Sequence, residues 1–308
     1  MSVRFTVIII HRNGFERLKA AIESIKRASS TSEEIFIIDN ASSDDSIDRI
    51  SALYPDANVI LNEFNSGYGH AANQGIKKGA GDYFLICNND IVVPSNIFDE
   101  FEAVFSNYGN AGIISGQQIN LKGEKMRTSS YTPSLLSEFD GIGRIHHCND
   151  PRTIAEVGII RGACLGVRRE MINEIGGYDE DFFFYFEDTE WCIRASRNNW
   201  KVILNPNVRV AHVGGSSSSE LYKESRIEFY RSRMIFWKKI YPKYVLVLLY
   251  LWNIPKLFLD FVFYFCITMI TFGQSSRIKN KLIDRAFVLS WITIGMPKNW
   301  GLPRKLNK

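Results

Sequence analysis

The stretch Asp82–Pro94 constrains the fold of this chain more than any other. Its residues Tyr83–Ile86 form an unbroken apolar run too short for a helix, which predicts a strand buried on both faces. The run ends in three polar residues, Asn88, Asn89 and Asp90. Ligands bind at the carboxyl ends of strands in open α/β sheets, and carboxylate and amide oxygens suit a hard divalent cation with a phosphate. A simple turn is the alternative interpretation.

Strands and helices alternate through the first hundred residues. Apolar residues at helical spacing fill Phe15–Arg27, and similar segments separate the other apolar runs. This alternation predicts an α/β fold with a mostly parallel, nucleotide-type sheet. The strands predicted in addition to Tyr83–Ile86 are Phe5–Ile10, Ile35–Ile38, Val59–Leu61, Ala111–Ser115 and Val208–Val213.

Composition indicates a folded protein with a strongly uneven charge. The 308 residues are 45% hydrophobic and 23% charged, enough for a large core in one or two domains. The net charge of +4 combines about +12 in residues 223–308 with about −8 in the remainder. This argues against nucleic acid as the ligand of the acidic part and favours an anionic surface for the tail.

Cysteine usage and the N-terminus favour a cytosolic protein. The five cysteines show no C-x-x-C spacing, so we expect them to be reduced and buried. We also expect no signal peptide, because Arg4 and Arg12 enclose only a short apolar run. The cysteines are Cys87, Cys148, Cys164, Cys192 and Cys266.

A glycine-rich turn offers a different function. Gly67, Gly69 and Ala72 match a dinucleotide-binding fingerprint, with Asp90 near the distance expected for its ribose-binding acid. That fingerprint normally opens the first βαβ unit, whereas this one follows the third predicted strand. A nicotinamide-dependent enzyme therefore stays as a minority hypothesis.

Two regions remain between these motifs and the tail. Residues 117–150 give little signal, and we expect a mobile loop near an acceptor, with the pair His146–His147 solvated. In the second region, the aromatic run 182–186 leads into Glu187 and Asp188 at a predicted helix start. The helix dipole stabilises acidic residues at this position. Burial of a carboxylate among aromatic residues, however, also allows it to act as a general base. His212, on a strand before a Gly/Ser loop, is either structural or a ligand.

Taken together, these segments resemble the family 2 glycosyltransferases of GT-A fold, in particular rhamnosyltransferase-like members that build bacterial surface polysaccharides. The resemblance covers about residues 5–215 and continues more weakly to the end. It is carried by residues 37–42, Asn65-x-Gly67-Tyr68-Gly69 with Asn73 and Gly75, Asn88-Asn89-Asp90, Gly162-Ala163, residues 176–180, Glu187-Asp188, and His212 with Gly215 and Ser216.

The resemblance implies a role for each matching residue. Asp188 would be the catalytic base, and Asp90 and His212 would hold Mg²⁺ or Mn²⁺ on the donor diphosphate. Asn88 stands where the motif usually has its first Asp, and Arg12 where an aromatic residue is usual. The donor would be bound by His11, Asn13, Asp39 at the nucleobase, Gly67, Asn73, Asn88 and Asn89. The acceptor side would comprise Gly162, Ala163, Glu187 and Trp191.

The reaction implied is an inverting transfer of a sugar, best L-rhamnose from dTDP-rhamnose, to a lipid-linked or oligosaccharide acceptor. UDP-galactose or another UDP-hexose is the alternative donor, and an inactive nucleotide-sugar binding or scaffold protein is a remote alternative. Loss of a diphosphate requires charge neutralisation, which an acidic body provides through a cation, and the attacking hydroxyl requires one base.

The basic tail predicts association with the cytoplasmic face of a membrane. We expect a GT-A domain in 1–222 and helices in 223–308, starting with a basic helix at 220–239. The apolar run 244–272, interrupted at Asn253 and Pro255, is long enough to span a bilayer. Because basic residues flank both sides, a membrane-lying or re-entrant pair fits better, and a buried helical hairpin is the alternative.

Overall fold

The structure, a computed structural model, describes residues 5–28, 34–139, 150–212 and 221–303. The expectations for Cys148, for His146–His147 and for Gly215 and Ser216 fall outside these ranges. The chain divides into two compact units. The first comprises residues 1–132, 146–183 and 187–214, and the second comprises 133–145, 184–186 and 215–308.

A central sheet organises the first unit. The order of its described strands is β3-β2-β1-β4-β10-β6-β11-β5, with β8 beside β11, and β7 pairs with β9 separately. The strands are β1 Phe5–His11, β2 Glu34–Asp39, β3 Asn58–Leu61, β4 Tyr83–Asn88, β5 Ile91–Val92, β6 Ala111–Ile119, β7 Ser129–Ser130, β8 Ala155–Glu156, β9 Ile159–Ile160, β10 Cys164–Arg168 and β11 Lys201–His212.

The first four strands to enter this sheet are parallel, as predicted. β1 pairs in parallel with β2 and β4, and β2 pairs in parallel with β3. β10 enters antiparallel between β4 and β6, whereas β6 and β11 are parallel to each other. The mostly parallel sheet predicted from the alternation of strands and helices is therefore confirmed.

Helices cover the sheet and bury its apolar side chains. The helices of this unit are α1 Phe15–Ala28, α2 Ser46–Leu53, α3 Tyr68–Lys78, α4 Ile97–Asn107, α6 Arg169–Ile175 and α7 Glu187–Arg197. Leu18, Ile22 and Ile25, spaced at helical intervals on α1, join the same buried cluster as Val7 and Leu85 of the sheet. The apolar spacing that predicted α1 is thus the face it buries.

Two sequence expectations are wrong in this unit. β11 begins at Lys201 rather than Val208, because residues 201–205 also pair with β6. The predicted loop is irregular only in part: β6 continues to Ile119, β7 covers Ser129–Ser130, and Asp150 accepts hydrogen bonds from Thr128 N (3.0 Å) and Ser129 N (2.8 Å). Serine and threonine signal loops in a sequence, but here their hydroxyl and amide groups are satisfied by a distant carboxylate.

The second unit is helical. It contains α5 Leu135–Phe139, α8 Tyr222–Ile240, α9 Lys243–Ile270 and α10 Ser276–Thr293. α9 is one continuous helix with Pro255 inside it, so the expected break at Asn253 and Pro255 is absent. Within the described residues, α9 is the one helix long and apolar enough to cross a membrane, with a mean hydropathy of 1.7 over its best window.

Three arginines of the tail and one of its cysteines have surroundings that the sequence did not predict. Arg226, Arg231 and Arg233 of α8 form ion pairs inside the unit, with Asp284 (3.0 Å), Glu228 (2.8 Å) and Glu138 (2.6 Å) respectively. Three cations of the basic helix therefore have internal partners. Cys266 on α9 is exposed, whereas Cys87, Cys164 and Cys192 of the first unit are free and buried as expected.

Candidate functional site

The polar strand ends that the sequence singled out converge at one edge of the sheet. In the strand registers, His11 at the end of β1 lies opposite Asp39 of β2, and Ile10 lies opposite Asn88 of β4. The start of β10 reaches the same edge, because Asn88 N donates to Ala163 O at 3.0 Å. The ends of β1, β2 and β4 and the start of β10 therefore meet at the carboxyl edge, where α/β sheets bind ligands.

His11 lies inside the fold rather than on the surface of the site. Its side chain is fully buried, Nδ1 accepts from Asn89 Nδ2 at 2.8 Å, and Nε2 donates to Ser46 Oγ at 2.7 Å. This pattern fits the neutral Nε2–H tautomer. Burial lowers the pKa of His11 from 6.5 to about 4, although Asp39 and Asp44 oppose the shift. The side chain of His11 and the amide nitrogen of Asn89 are therefore both engaged inside the protein.

The turns after β1 and β2 are joined by short polar contacts. Asn13 N donates to Ser42 Oγ at 2.9 Å, and Asn13 Oδ1 accepts from Ser43 N at 2.7 Å. The Asp39 carboxylate accepts from Ser42 N at 3.2 Å and from the Ser42 hydroxyl. Asn13 is half-buried. These contacts hold Asn13 and Asp39 next to each other at the carboxyl edge of the sheet.

Asn40 is a site-building residue that was not among the predicted site residues. It is buried; its amide nitrogen donates to Asn65 Oδ1 at 2.9 Å, and its oxygen accepts from Ser66 N and Ser66 Oγ, each at 2.9 Å. These bonds fix the turn before α3 to the end of β2. The sequence signal was an amide residue after a buried strand with an Asn-Ser-Gly turn downstream.

Gly67, directly before α3, lies close to the backbone of another segment of the chain. Its φ is +90°, and a Cβ at this position would lie 2.6 Å from Phe183 O. Tyr68 N donates to the same carbonyl at 3.0 Å. The turn is occupied by protein backbone in the place where a dinucleotide fingerprint would receive a pyrophosphate, which removes the basis of the nicotinamide hypothesis.

The side chain of Asn73 forms its hydrogen bonds with the segment that follows α6. Its amide nitrogen donates to Tyr178 O at 2.9 Å and to Glu180 Oε1 at 2.8 Å, and its oxygen accepts from Tyr178 N at 2.9 Å. All its ordinary donors and one acceptor position are thus used inside the protein. Gly177 packs closely beside it, since a Cβ there would clash with Asn73 Oδ1.

Asp90 and His212 form the pair that the resemblance assigned to a metal. Asp90 Oδ1 lies 3.3 Å from His212 Nε2, with both side chains mostly buried. Burial would raise the pKa of Asp90, but the neighbouring His212 outweighs it and the pKa is lowered. Asp90 Oδ1 and His212 Nδ1 are buried polar atoms without a hydrogen bond of good geometry.

These two residues fit a divalent cation only in part. A carboxylate oxygen and an imidazole nitrogen are ligands that Mn²⁺ accepts, and the unsatisfied Asp90 oxygen is consistent with such a partner. In the described residues, no three His, Cys, Asp or Glu side chains gather into a metal-binding group. Substrate oxygens or water would have to complete the coordination sphere.

Asp188 is held by the chain segment before β10. Its Oδ2 accepts from Gly162 N at 2.9 Å, and its Oδ1 accepts from Thr189 N at 2.6 Å. Gly162 is itself fixed, because its carbonyl accepts from the hydroxyl of Tyr68 at 3.0 Å. Burial raises the pKa of Asp188, while these hydrogen bonds and the charge of Arg161 oppose the rise. A half-buried, oriented carboxylate of this kind can accept a proton from a hydroxyl group.

Glu187 has different surroundings although it is the adjacent residue. Its side chain is 7% exposed, and Oε2 has no hydrogen-bond partner. Burial, followed by the charge of Asp188, raises the pKa of Glu187. The two preceding residues, Tyr185 and Phe186, both have positive φ, at 70° and 69°, which is backbone strain of the kind that functional sites contain.

Trp191 is not an acceptor-side contact. It is fully buried, its Nε1 donates to Gly176 O at 3.0 Å, and its ring centroid lies 4.2 Å from that of Tyr178. The tryptophan faces inward on α7 and supports the segment after α6. Aromatic residues near a carboxylate look alike in sequence whether they line a site or support it.

Asp150 is a second residue that sequence reasoning missed. Its carboxylate accepts from the Ser129 hydroxyl at 2.6 Å and from Gln117 Nε2 at 3.0 Å, in addition to the two backbone N–H groups described above. These hydrogen bonds lower its pKa against the effect of burial. A lone acid in a poorly patterned segment gave no signal of this role.

Comparisons with known proteins find glycosyltransferases similar to this chain. The family model for glycosyl transferase family 2 matches residues 6–176. A curated relative from Mycobacterium tuberculosis (strain CDC 1551 / Oshkosh), N-acetylglucosaminyl-diphospho-decaprenol L-rhamnosyltransferase, is 25% identical over 223 residues, which are 63% of this chain and 71% of the relative. The dTDP-rhamnosyl transferase RfbF of Shigella flexneri is 23% identical, covering 70% of this chain and 71% of the relative.

A solved structure shows the fold at lower identity. The crystal structure of GalNAc-T7 with UDP, GalNAc and Mn²⁺ is similar with a TM-score of 0.53 and 17% identity. The match covers 72% of this chain and 48% of that one, so the chain spans about half the length of that protein. The fold expected from the resemblance, GT-A with a mostly parallel sheet, is confirmed.

Proposed function

Since the chain belongs to glycosyl transferase family 2, whose model covers more than half of it, we propose that this glycosyltransferase inverts the transferred anomeric centre. The observation that carries the proposal is the position of Asp188. Its carboxylate is hydrogen-bonded to Gly162 N at 2.9 Å, at the same sheet edge as the turns of Asn13 and Asp39. This edge therefore offers one oriented base beside a nucleotide-type turn.

The reaction follows from this arrangement. The acceptor hydroxyl gives its proton to Asp188 while its oxygen attacks the anomeric carbon, and the bond from that carbon to the diphosphate breaks. A single displacement of this kind inverts the anomeric configuration. Asp90 and His212 would hold Mg²⁺ or Mn²⁺, which when bound neutralises charge on the departing diphosphate. The turns carrying Asn13 and Asp39 would bind the nucleoside.

The donor is proposed to be dTDP-L-rhamnose, with a UDP-hexose such as UDP-galactose as the alternative. Two relatives carry rhamnosyltransferase names, and the solved relative was crystallised with UDP. The acceptor is proposed to be a lipid-diphosphate-linked sugar or oligosaccharide in the synthesis of O-antigen or capsule, because one relative is named for such an acceptor.

We propose that residues 1–222 form the catalytic domain and that 223–308 bind the cytoplasmic face of the membrane. α9 supports this, since many of its large apolar side chains are exposed, including Leu248 (53%), Leu259 (66%) and Phe263 (57%). An exposed apolar face of this extent is typical of a membrane or protein contact. The positive tail adds attraction to anionic lipids.

A screen of nucleotide sugars tests the proposal. Purified protein with Mn²⁺ and a synthetic lipid-diphosphate-linked N-acetylglucosamine is incubated with dTDP-rhamnose, UDP-galactose, UDP-glucose or GDP-mannose. We expect a product from dTDP-rhamnose, with inverted configuration by NMR, whereas a product from UDP-galactose or UDP-glucose alone would support the alternative donor. A product with retained configuration would refute the inverting mechanism, and no transfer from any donor would refute the proposed donor and acceptor classes.

A further inference from the structure

The backbone of Arg161 is fixed immediately beside the proposed base. Its N–H donates to Thr128 O at 2.9 Å, and its carbonyl accepts from Ala163 N and from Gln118 Nε2, each at 3.0 Å. The next residue is Gly162, whose N–H holds Asp188 Oδ2. The hydrogen bonds of Arg161 N, Arg161 O and Gly162 N therefore fix the backbone of Arg161 relative to Asp188.

The guanidinium of Arg161 differs from those of other arginines in the first unit, because it has no hydrogen-bonding partner among the described residues. Arg161 has more than a third of its surface exposed, and within the described ranges its guanidinium forms no hydrogen bond or ion pair. By contrast, three other arginines of the same unit donate to backbone carbonyls: Arg168 to Ala111 O at 2.9 Å, Arg169 to Gly79 O at 2.8 Å and Arg194 to Gly177 O at 2.7 Å. A guanidinium carries five donors and strongly favours carboxylate or phosphate oxygens.

Charges of both signs lie around Arg161. Loss of hydration, and then the nearby charge of Arg127, lower the pKa of Arg161, whereas Asp188 and Asp150 oppose the shift. Arg127 lies on the segment that leads into β7, next to Thr128, whose carbonyl accepts from Arg161 N. Arg161 is therefore the guanidinium whose charge acts on the proposed base, and Arg127 acts on Arg161.

We propose that Arg161 binds a phosphate group of the acceptor, so that the preferred acceptor class is a sugar linked to a lipid through a diphosphate. The proposal rests on the proposed function, because it requires Asp188 to face the acceptor hydroxyl. One sugar ring then separates the hydroxyl at Asp188 from the diphosphate at its other end. Arg161 would fix that end by charge-assisted hydrogen bonds.

Two other roles for Arg161 make different predictions. If it only sustains the ionised form of Asp188, its loss would move the acidic limb of the pH–rate profile upward and affect every acceptor equally. If it instead binds the donor diphosphate, its loss would raise the KM for the donor. An acceptor-phosphate role raises the KM only for phosphate-bearing acceptors.

Kinetics on two acceptors that differ only in the diphosphate test the proposal. Arg161→Gln and Arg161→Lys are compared with the wild type on farnesyl-diphosphate-linked N-acetylglucosamine and on octyl N-acetylglucosaminide. Arg161→Gln should raise the KM for the first acceptor about tenfold or more, with the octyl glycoside and the donor unaffected. Arg161→Lys should recover part of the loss. Arg197→Gln, which removes an exposed cation from α7, is the matched control.

The results that would contradict the role of Arg161 differ from the results that would contradict the proposed function. An equal loss on both acceptors, a shifted acidic limb or a raised donor KM would overturn the role of Arg161. If the wild type transfers sugar to neither acceptor, the proposed function fails. Calorimetric binding of the diphosphate-linked acceptor then still decides the inference, because equal affinity of the wild type and Arg161→Gln would overturn it.

Discussion

At the scale of single residues, the adjacent carboxyl groups of Glu187 and Asp188 show how environment separates chemical roles. Asp188 accepts hydrogen bonds on both oxygens and is half-buried, whereas Glu187 is buried with one oxygen unsatisfied. The first arrangement suits a carboxylate that must accept a proton, and the second favours a protonated acid. Burial raises the pKa of both carboxyl groups, and at Asp188 the hydrogen bonds from Gly162 and Thr189 and the charge of Arg161 oppose the rise.

Acid should destabilise the protein through His11. Its folded-state pKa of about 4 lies below the ordinary 6.5, so between these values the unfolded chain binds a proton that the folded chain does not. Stability is therefore lost as the pH falls through this window, by about 2 kcal/mol between pH 6.5 and pH 5. Urea unfolding at both pH values should show this loss in the wild type and much less in His11→Gln. An equal loss in both proteins would exclude His11 as its source.

Asp90→Ala should reduce transfer by roughly 100-fold or more, because one of two ligands at the proposed cation is lost. The residue follows the end of β4, so the sheet should remain intact. The measurement is the rate as a function of Mn²⁺ concentration, with Asp56→Ala, an exposed loop acid, as the control. A wild-type rate with unchanged metal dependence would show that Asp90 is not a ligand.

Residue types at the site were readable from the sequence, but side-chain directions were not. The alternation of apolar runs located the strand ends, so Asp39, Asp90 and Asp188 were predicted at the correct edge. His11, Asn73 and Trp191 were predicted to touch substrate, yet their polar atoms bind other parts of the protein. Which of two polar residues faces a ligand depends on long-range partners, which local patterns do not contain.

At the scale of elements, the start of α3 depends on backbone contact with a segment more than a hundred residues away in the sequence. Gly67→Ala should destabilise the first unit by roughly 1–3 kcal/mol, because φ is +90° and the added Cβ would lie 2.6 Å from Phe183 O. Gly109→Ala, where a Cβ meets nothing within 4 Å, should change stability by about 0.5 kcal/mol at most. Urea unfolding measures both, and equal effects would contradict the role of this contact.

Elements with strong periodicity were predicted well, and those held by side chains were not. β1, α1 and β4 match their apolar patterns closely. Residues 117–130 were missed because Asp150, Gln117 and Ser129 hold them through hydrogen bonds rather than through an apolar pattern. The uninterrupted α9 was missed because Pro255 is a helix breaker in sequence, whereas a long apolar helix can contain it.

At the scale of the whole molecule, the proposed membrane contact is tested by polar substitutions on α9. Replacing Leu248, Leu259 and Phe263 together by Gln should sharply reduce co-sedimentation with phosphatidylglycerol vesicles, because these side chains are 53%, 66% and 57% exposed. Leu121→Gln, an exposed leucine of the first unit at 72%, is the control. Unchanged vesicle binding by the triple variant would place the contact elsewhere.

The effect of these substitutions on membrane binding is easier to interpret than the effect of a truncation after Tyr241. Leu257 of α9 and Val288 and Trp291 of α10 belong to the same buried cluster as Ile227 and Tyr230 of α8. Truncation would therefore expose part of a core, and a loss of membrane binding would be mixed with loss of folding. The internal ion pairs of Arg226, Arg231 and Arg233 similarly show why net charge alone overstates the cations available to lipid.

The most direct test of the account is the activity of Asp188→Asn. The substitution keeps the size of the side chain but removes the basicity needed to take the acceptor proton, so transfer should fall about 10²–10⁴-fold or more. Donor affinity by calorimetry should be unchanged, and Glu187→Gln should lose less, because Gln resembles the protonated acid that burial favours there. Wild-type transfer by Asp188→Asn, or a loss explained entirely by weaker donor binding, would contradict Asp188 as the base.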